Sequence, residues 1–495
     1  MLSIVVFLPL AVAAVLLAVP RFSDAAVRWI WIIASTVELA LVVALWIGYD
    51  AGAGYDYEVN QRWIPSVSSG YHLGVDGLSL PLVALTAVLF LACAIYSLRQ
   101  TERVRSFAAL FLFLETVCLG VFVSLDLILF FVFFDLSIVG MYFVIAGWGH
   151  RNAARAALQF FLYTFLGSLV LLLGFIGLYL AAEPHTFDMV LLAEQNPLAG
   201  QGTAATLVLL ALFVGLAIKT PTVPFHTWLP PAHTEAPAAG SAILAGVLLK
   251  LGTYGFVRIA MPMLPDTWRD WAPVIIIVGV VSVLYGALVA LAQQDFKRMI
   301  AYTSVNHMGY IILAVGAAGV VSTSDTQAHD LAVTGAMTQM VSHGLITGAL
   351  FLLAGVLYER GGTYDLGAYG GLAASAPRFA GLTAIAAFAS LGLPGFSGFI
   401  AEFQIFTGSL PGAPVATALA FLGILISAAL FLRAYQRLFL GPPRPALAGV
   451  ADLRVTETLS IAPLMVLAVV IGLFPRFLLD LVEPAARVLG TLVSR

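Results

Sequence analysis

Apolar runs of about twenty residues, each closed by charge, proline or glycine, recur along the whole chain. They fall at 2–20, 27–48, 78–98, 107–124, 127–148, 157–181, 204–230, 237–260, 272–292, 299–319, 331–357, 381–408, 414–435 and 458–475. One spanning helix needs about 20 apolar residues. The pattern therefore predicts an all-α polytopic membrane protein with about fourteen transmembrane helices. The runs are continuous and not ten-residue alternations, which excludes a β-barrel. The first run, Ile4 to Val19, lacks a positive leader and a second span follows at once, so it reads as a retained helix and not a signal segment.

Two runs are interrupted. In the seventh, Pro221 and Pro224 each remove a backbone donor in mid-span. In the twelfth, Pro394 sits among Gly392, Gly395 and Gly398. Carbonyls freed at membrane depth are tolerated only beside protein or water. Two broken helices five spans apart suggest two inverted five-helix repeats, helices 4–8 and 9–13, an arrangement that places ion sites at the breaks. The expected division is 1–106 for the first three helices, 107–260 and 272–437 for the repeats, and 438–495 for the last helix.

Composition agrees. The chain has 495 residues, 61% hydrophobic and 10% charged, with mean hydropathy +1.01. A soluble domain carries about 25% charged residues. The net charge of -3 gives no basic footprint for nucleic acid. Cys93 and Cys118 lie in apolar runs and are too few for an iron–sulfur cluster, which takes about four. There is no Walker A motif, and no close-spaced cluster that would hold a metal. One alternate set of loops, including Arg21, Arg99, Arg103, Arg105, Lys297 and Arg444, holds fifteen basic residues. The other, including Arg62, Arg258 and Arg495, holds six. The bias puts the first set in the cytoplasm and both termini outside. The long outer loops 49–77 and 182–203 read as solvated segments, with Asp50, Asp56 and Glu58 as ordinary surface acids.

The candidate chemistry is inside the spans. Of three lysines, Lys219 and Lys250 fall within predicted helices, whereas arginine serves almost everywhere else. Arginine stays charged, but a desolvated lysine can release its proton and so relay one. Four acids also fall within spans: Glu38, Glu115, Asp135 and Glu402. Charge at that depth is costly, and such groups line hydrated paths or pair with each other. Asp135 suits a lysine partner. His307 and His343 lie on neighbouring spans between Lys250 and Glu402 in sequence, and His226 and His233 flank the end of the seventh. Histidine shuttles protons near neutral pH. The expected proton-translocating residues are Asp135, Lys219, Lys250 and Glu402, with His307, His343, Glu115, His226 and His233 as relay candidates.

Longer motifs carry a resemblance. The stretch from Lys219-Thr-Pro-Thr-Val-Pro-Phe-His-Thr-Trp to Lys250-Leu-Gly-Thr-Tyr-Gly255, with Gly74-Val-Asp-Gly-Leu-Ser and Lys297-Arg-Met-Ile-Ala-Tyr-Thr-Ser-Val-Asn-His307, resembles the antiporter-like membrane subunits of respiratory NADH–quinone oxidoreductase (complex I). The likeness extends over nearly the whole chain. It implies that Asp135 stands where the family carries a fifth-helix glutamate, that Lys219 and Lys250 are its two lysines, and that Glu402 is its twelfth-helix acid. Sister subunits carry lysine at that last position, so Glu402 points to the M branch. Asp135 is one methylene shorter than the usual glutamate, so its pairing with Lys219 is expected to be longer or bridged by water.

The resemblance further implies a bacterial plasma-membrane protein that partners other membrane subunits of complex I, especially neighbouring antiporter-like ones. NADH, FMN, iron–sulfur clusters and quinone are then expected in partner subunits, and no cofactor in this chain. The expected activity is proton translocation driven by quinone reduction elsewhere in the complex. The alternative is a subunit of a multi-subunit sodium/proton antiporter, where lysine is expected in place of Glu402.

Overall fold

The computed structural model of the chain describes every residue except 52–53, 443–449 and 495, so Arg444 and Arg495 lie outside the described residues. The described chain is mostly helical. Helices α1 (Leu2–Ala18), α2 (Asp24–Gly48), α3 (Leu80–Tyr96), α4 (Val104–Val123), α5 (Leu127–Trp148) and α6 (Ala153–Ala181) come first. A short α7 (Met189–Gln195), α8 (Gly202–Lys219) and α9 (Leu229–Glu235) follow. Then come α10 (Ala238–Met263), α11 (Pro265–Ala292), α12 (Phe296–Val321) and α13 (Thr326–Gly361). Last are α14 (Pro377–Ser390), α15 (Ser397–Ser409), α16 (Pro414–Phe439), α17 (Val455–Leu473) and α18 (Arg476–Val493). Among the described residues twelve helices are long and apolar enough to cross a membrane, and α1 is a shorter apolar helix.

Side-chain chemistry sets the helix ends. Asp126 accepts from the Ile128 and Leu129 amides at the start of α5, Asp295 from Arg298 at α12, and Asp325 from Ala328 at α13. Each satisfies donors that a helix start leaves unpaired. Outer helices turn apolar side chains outward: Leu162, Leu166, Leu169, Leu173 and Leu180 of α6 are exposed, as are Ile277, Val281 and Leu288 of α11. By contrast the apolar middles of α10 and α13 are buried throughout and that of α12 nearly so. These three helices carry Lys250, His343 and His307.

The α10–α13 crossing is close because both helices present glycine. A Cβ on Gly344 would meet the Gly246 carbonyl at 2.8 Å. Small residues let helix backbones approach in this way. Gly246 is one turn before Lys250, and Gly344 follows His343.

Three features differ from the expected pattern. The 49–77 segment is not a plain loop: β1 (Asp56–Ile64) pairs antiparallel with β2 (Ser69–Val75), with Asn60 opposite His72. Glu58 is no ordinary surface acid, because His72 Nε2 lies 2.7 Å from it and Nδ1 lies 2.6 Å from Asp188. Beyond the last expected span, α18 lies against the bundle on Leu478, Val482, Ala486, Leu489 and Val493. Lys297 and Arg258, read as loop cations, are buried in α12 and α10.

Candidate functional site

Both expected breaks occur. The chain leaves α8 at Lys219 and resumes helix at Leu229. The Trp228 indole N–H donates to the Ile218 carbonyl at 2.9 Å, and the Val223 amide donates to Ser282 Oγ at 3.0 Å. The break is thus held by protein groups, as depth requires. Between α14 and α15, residues 391–396 fold around Glu402. Gly392 has φ +72°, and a Cβ there would run into Glu402 Oε2.

Lys219 is 1% exposed. Its Nζ donates to Ser137 Oγ at 2.9 Å and sits 5.0 Å from the Phe134 ring centroid. Asp135 does not contact it. The half-buried Asp135 accepts from Ser168 Oγ at 2.6 Å and acts on Lys219 only through longer-range electrostatics. The pair, expected to be longer or bridged by water, is open here, with each side chain on a different serine. The physical reason is helical: Asp135 and Ser137 are two residues apart and so point to different faces of α5.

The second lysine is in contact with a relay candidate. Lys250 Nζ donates to the Ala245 carbonyl at 2.6 Å and lies 2.6 Å from His343 Nδ1. The π-helical turns Leu244–Leu248 and Phe256–Ala260 flank the Lys250 turn. Such turns shift side-chain register and recur at functional sites. The His343 and His307 ring centroids are 5.3 Å apart. His307 Nδ1 lies 3.0 Å from Gln339 Nε2 and 3.9 Å from Glu402 Oε1, and Nε2 lies 3.3 Å from Ser390 Oγ. His307, His343, Ser342, Ser390 and Glu402 line a cavity of about 10 Å³, room for about one water. Lys250, His343, His307 and Glu402 thus form one buried line across α10, α13, α12 and α15.

The other candidates separate. His233 is fully buried, stacked on Phe351 at 4.4 Å, with neither ring nitrogen hydrogen-bonded. It interacts electrostatically with Lys250, His343 and Lys297. Lys297 was missed as a site residue because it sits between Phe296 and Arg298 at a span end. Its Nζ donates to the Ala236 carbonyl and lies 5.1 Å from the Tyr364 ring centroid. His226 does not join the line: its ring is against Tyr285 at 5.0 Å and Nδ1 has no hydrogen bond. Glu115 belongs to a different cluster, accepting from Ser35 Oγ at 3.1 Å near Glu38. Among the described residues no group of three or more acids, histidines and cysteines could hold a metal ion. Cys93 and Cys118 are free and buried.

Broken helices, mid-bundle lysines and a buried line of titratable side chains mark a polytopic membrane protein built on the antiporter-like fold. Residues 124–427 match the family described as NADH:quinone oxidoreductase/Mrp antiporter transmembrane proteins, and the chain belongs to that family. It is 39% identical over 490 residues to NADH-quinone oxidoreductase subunit M of Rickettsia conorii, covering 97% of this chain and 96% of that one. Respiratory complex I from Thermus thermophilus with bound NADH contains a chain of the same fold. It has a TM-score of 0.89 and 33% identity, with 100% of both chains covered. A chain of the Mrp complex from Dietzia shares the fold at TM-score 0.85 and 23% identity, covering 100% of this chain and 99% of that one.

Proposed function

We propose that this chain is the proton-translocating M-type subunit of a bacterial NADH–quinone oxidoreductase. The observation that carries the reading is the buried Lys250–His343–His307–Glu402 line, with its water-sized cavity beside Glu402. A proton reaching Lys250 from the arginine-rich side, past Lys297 and His233, passes through His343 and His307 to Glu402 and leaves on the opposite side. Histidine can take a proton on one ring nitrogen and release one from the other, which suits it to the middle of such a line.

Lys219 and Asp135 act as the electrostatic switch. With Lys219 on Ser137 the pair is open. When Lys219 swings to Asp135, the carboxylate holds its charge and changes the field at Lys250. Residues 107–260 and 272–437 serve as the two repeats, each with one break. Both termini lie on the outer side of the plasma membrane. Quinone reduction in partner subunits, which hold the NADH, FMN and iron–sulfur chemistry, supplies the drive.

The rival reading, a sodium/proton antiporter subunit, has the fold likeness to the Mrp complex behind it. Purification of the tagged chain in mild detergent separates the two. Co-purifying NADH dehydrogenase activity supports the oxidoreductase. Co-purification of small membrane subunits without that activity, with sodium-dependent proton flux after reconstitution, replaces it with the antiporter.

A further inference from the structure

Away from the proton line, helices α1, α4 and α5 enclose a groove of about 760 Å³ that opens on the outside of the bundle. That volume is within the range of built small-molecule sites, roughly 300–1,000 Å³. Its walls are apolar: Leu10 and Leu17 of α1, Leu110 and Phe113 of α4, and Val139 and Phe143 of α5. Small residues of α1 and α5, among them Ala14 and Gly147, make the room.

One end of the groove has a different chemistry. Arg103, Ser106 and Trp148 line it there. The Arg103 guanidinium sits 4.5 Å from the Trp148 ring centroid and donates to the Gly147 carbonyl. The indole N–H donates to the Glu102 carbonyl at 2.9 Å, which fixes the ring. A guanidinium has five N–H donors, so donors remain for a further acceptor. Arg103 and Ser106 are exposed. The rim is cationic: Arg105 donates to the Pro20 and Phe22 carbonyls, and Arg28 to the Gln100 carbonyl at the same end of the bundle. Among the described residues the groove lining includes no acidic side chain.

We propose that this groove is a binding site for an anionic phospholipid. Its phosphate sits on Arg103 and Ser106 beside the Trp148 ring, and an acyl chain lies along α1, α4 and α5. Tryptophan belongs at the level of the headgroups, and basic pockets between helices at that level recognise acidic headgroups. The guanidinium matches phosphate by paired hydrogen bonds. The apolar walls match a hydrocarbon chain: Val139 to Trp148 is nine helical steps, about 14 Å of rise. A neighbouring apolar helix would match the walls but brings no anion to the remaining guanidinium donors.

The test uses the whole complex in nanodiscs of phosphatidylcholine. They contain small equal amounts of photoactivatable phosphatidylglycerol and photoactivatable phosphatidylcholine, each with the reactive group on an acyl chain. The expected result is labelling of α1, α4 and α5 side chains, with phosphatidylglycerol favoured at least threefold. Arg103→Gln is expected to abolish that preference. Ala14→Phe, which fills the groove from an exposed position on α1, is expected to abolish labelling by either lipid. Equal labelling by both lipids in the unmodified complex would overturn the proposal and leave bulk lipid. Absence of labelling there, with a photoreactive residue at Leu110 crosslinking to another subunit, would overturn it in favour of a protein occupant.

Discussion

Replacing Gly392 with alanine probes the setting of Glu402. At φ +72° a side chain costs roughly 1–2 kcal/mol. The new Cβ also runs into Glu402 Oε2. The carboxyl is 5% exposed and its other oxygen lies 3.9 Å from His307 Nδ1, so turning it to clear the new methyl changes its setting beside His307. A shift of about 1 Å in a reacting geometry can cost on the order of 100-fold. We expect the complex to assemble and NADH-driven proton pumping to fall at least about tenfold, the equivalent of about 1.4 kcal/mol. The assay is quenching of a pH-sensitive dye in inverted membrane vesicles. Gly381→Ala is the control: it is an exposed helical position with nothing within 4 Å of the added Cβ, and it should pump at the normal rate. Normal pumping by an assembled Gly392→Ala complex would refute the placement of Glu402 in the path.

Other outcomes follow from the same geometry. Lys250→Arg keeps a charge but cannot release a proton, so coupled NADH oxidation should fall at least tenfold, measured as uncoupler-responsive turnover. Ser137→Ala removes the hydrogen bond that holds Lys219 away from Asp135, and such bonds to charged groups contribute about 1.5–3 kcal/mol. Steady-state pumping should drop about tenfold or more, and an unchanged rate would remove the switch. Arg258 pairs with Asp76 at 2.5 Å, both nearly buried. Arg258→Met should therefore destabilise the subunit by about 3–5 kcal/mol, read as lost assembly on native gels.

At the hairpin, burial opposes the charged His72 ring, but Asp188 and Glu58 outweigh it and hold the pKa above the usual 6.5. The ring holds Asp188 below its usual 3.8, against the opposing effect of burial. The His72 contribution is complete below about pH 6.5 and is lost as pH rises through the raised value. The Asp188 contribution is present above about 3.8 and is lost only as pH falls through the lowered one. Amide exchange across 56–75 should therefore be slower at pH 6 than at pH 9 after correction for intrinsic rates, and His72→Gln should erase that difference.

The helices were legible because lipid selects long apolar runs, and that signal is local. The broken segments were legible because Pro221, Pro224 and Pro394 cannot continue a helix. Lys250 stood out as a lysine where the chain otherwise uses arginine. Lys297 did not, because its neighbours Asp295 and Arg298 look like a loop. Its burial comes from Tyr364 and the Thr234–Ala236 carbonyls, far away in sequence. The hairpin depends on pairing across Asn60 and His72, and Gln61 interrupts its apolar alternation. Helix α18 is apolar on one face only, so a search for continuous apolar runs passes over it, although Leu478, Val482, Ala486 and Leu489 keep helical spacing. That Lys219 rests on Ser137 and Asp135 accepts from Ser168 depends on helix rotation within the bundle, which residue order does not encode directly.

The measurement closest to the central claim is the number of protons moved per NADH oxidised by the reconstituted complex carrying Glu402→Gln. Gln keeps the shape of the side chain and removes its titration. The account predicts that the ratio falls, or that coupled turnover stops, while the complex assembles with its NADH dehydrogenase activity intact. A normal ratio at a normal rate would contradict proton passage along the Lys250–His343–His307–Glu402 line.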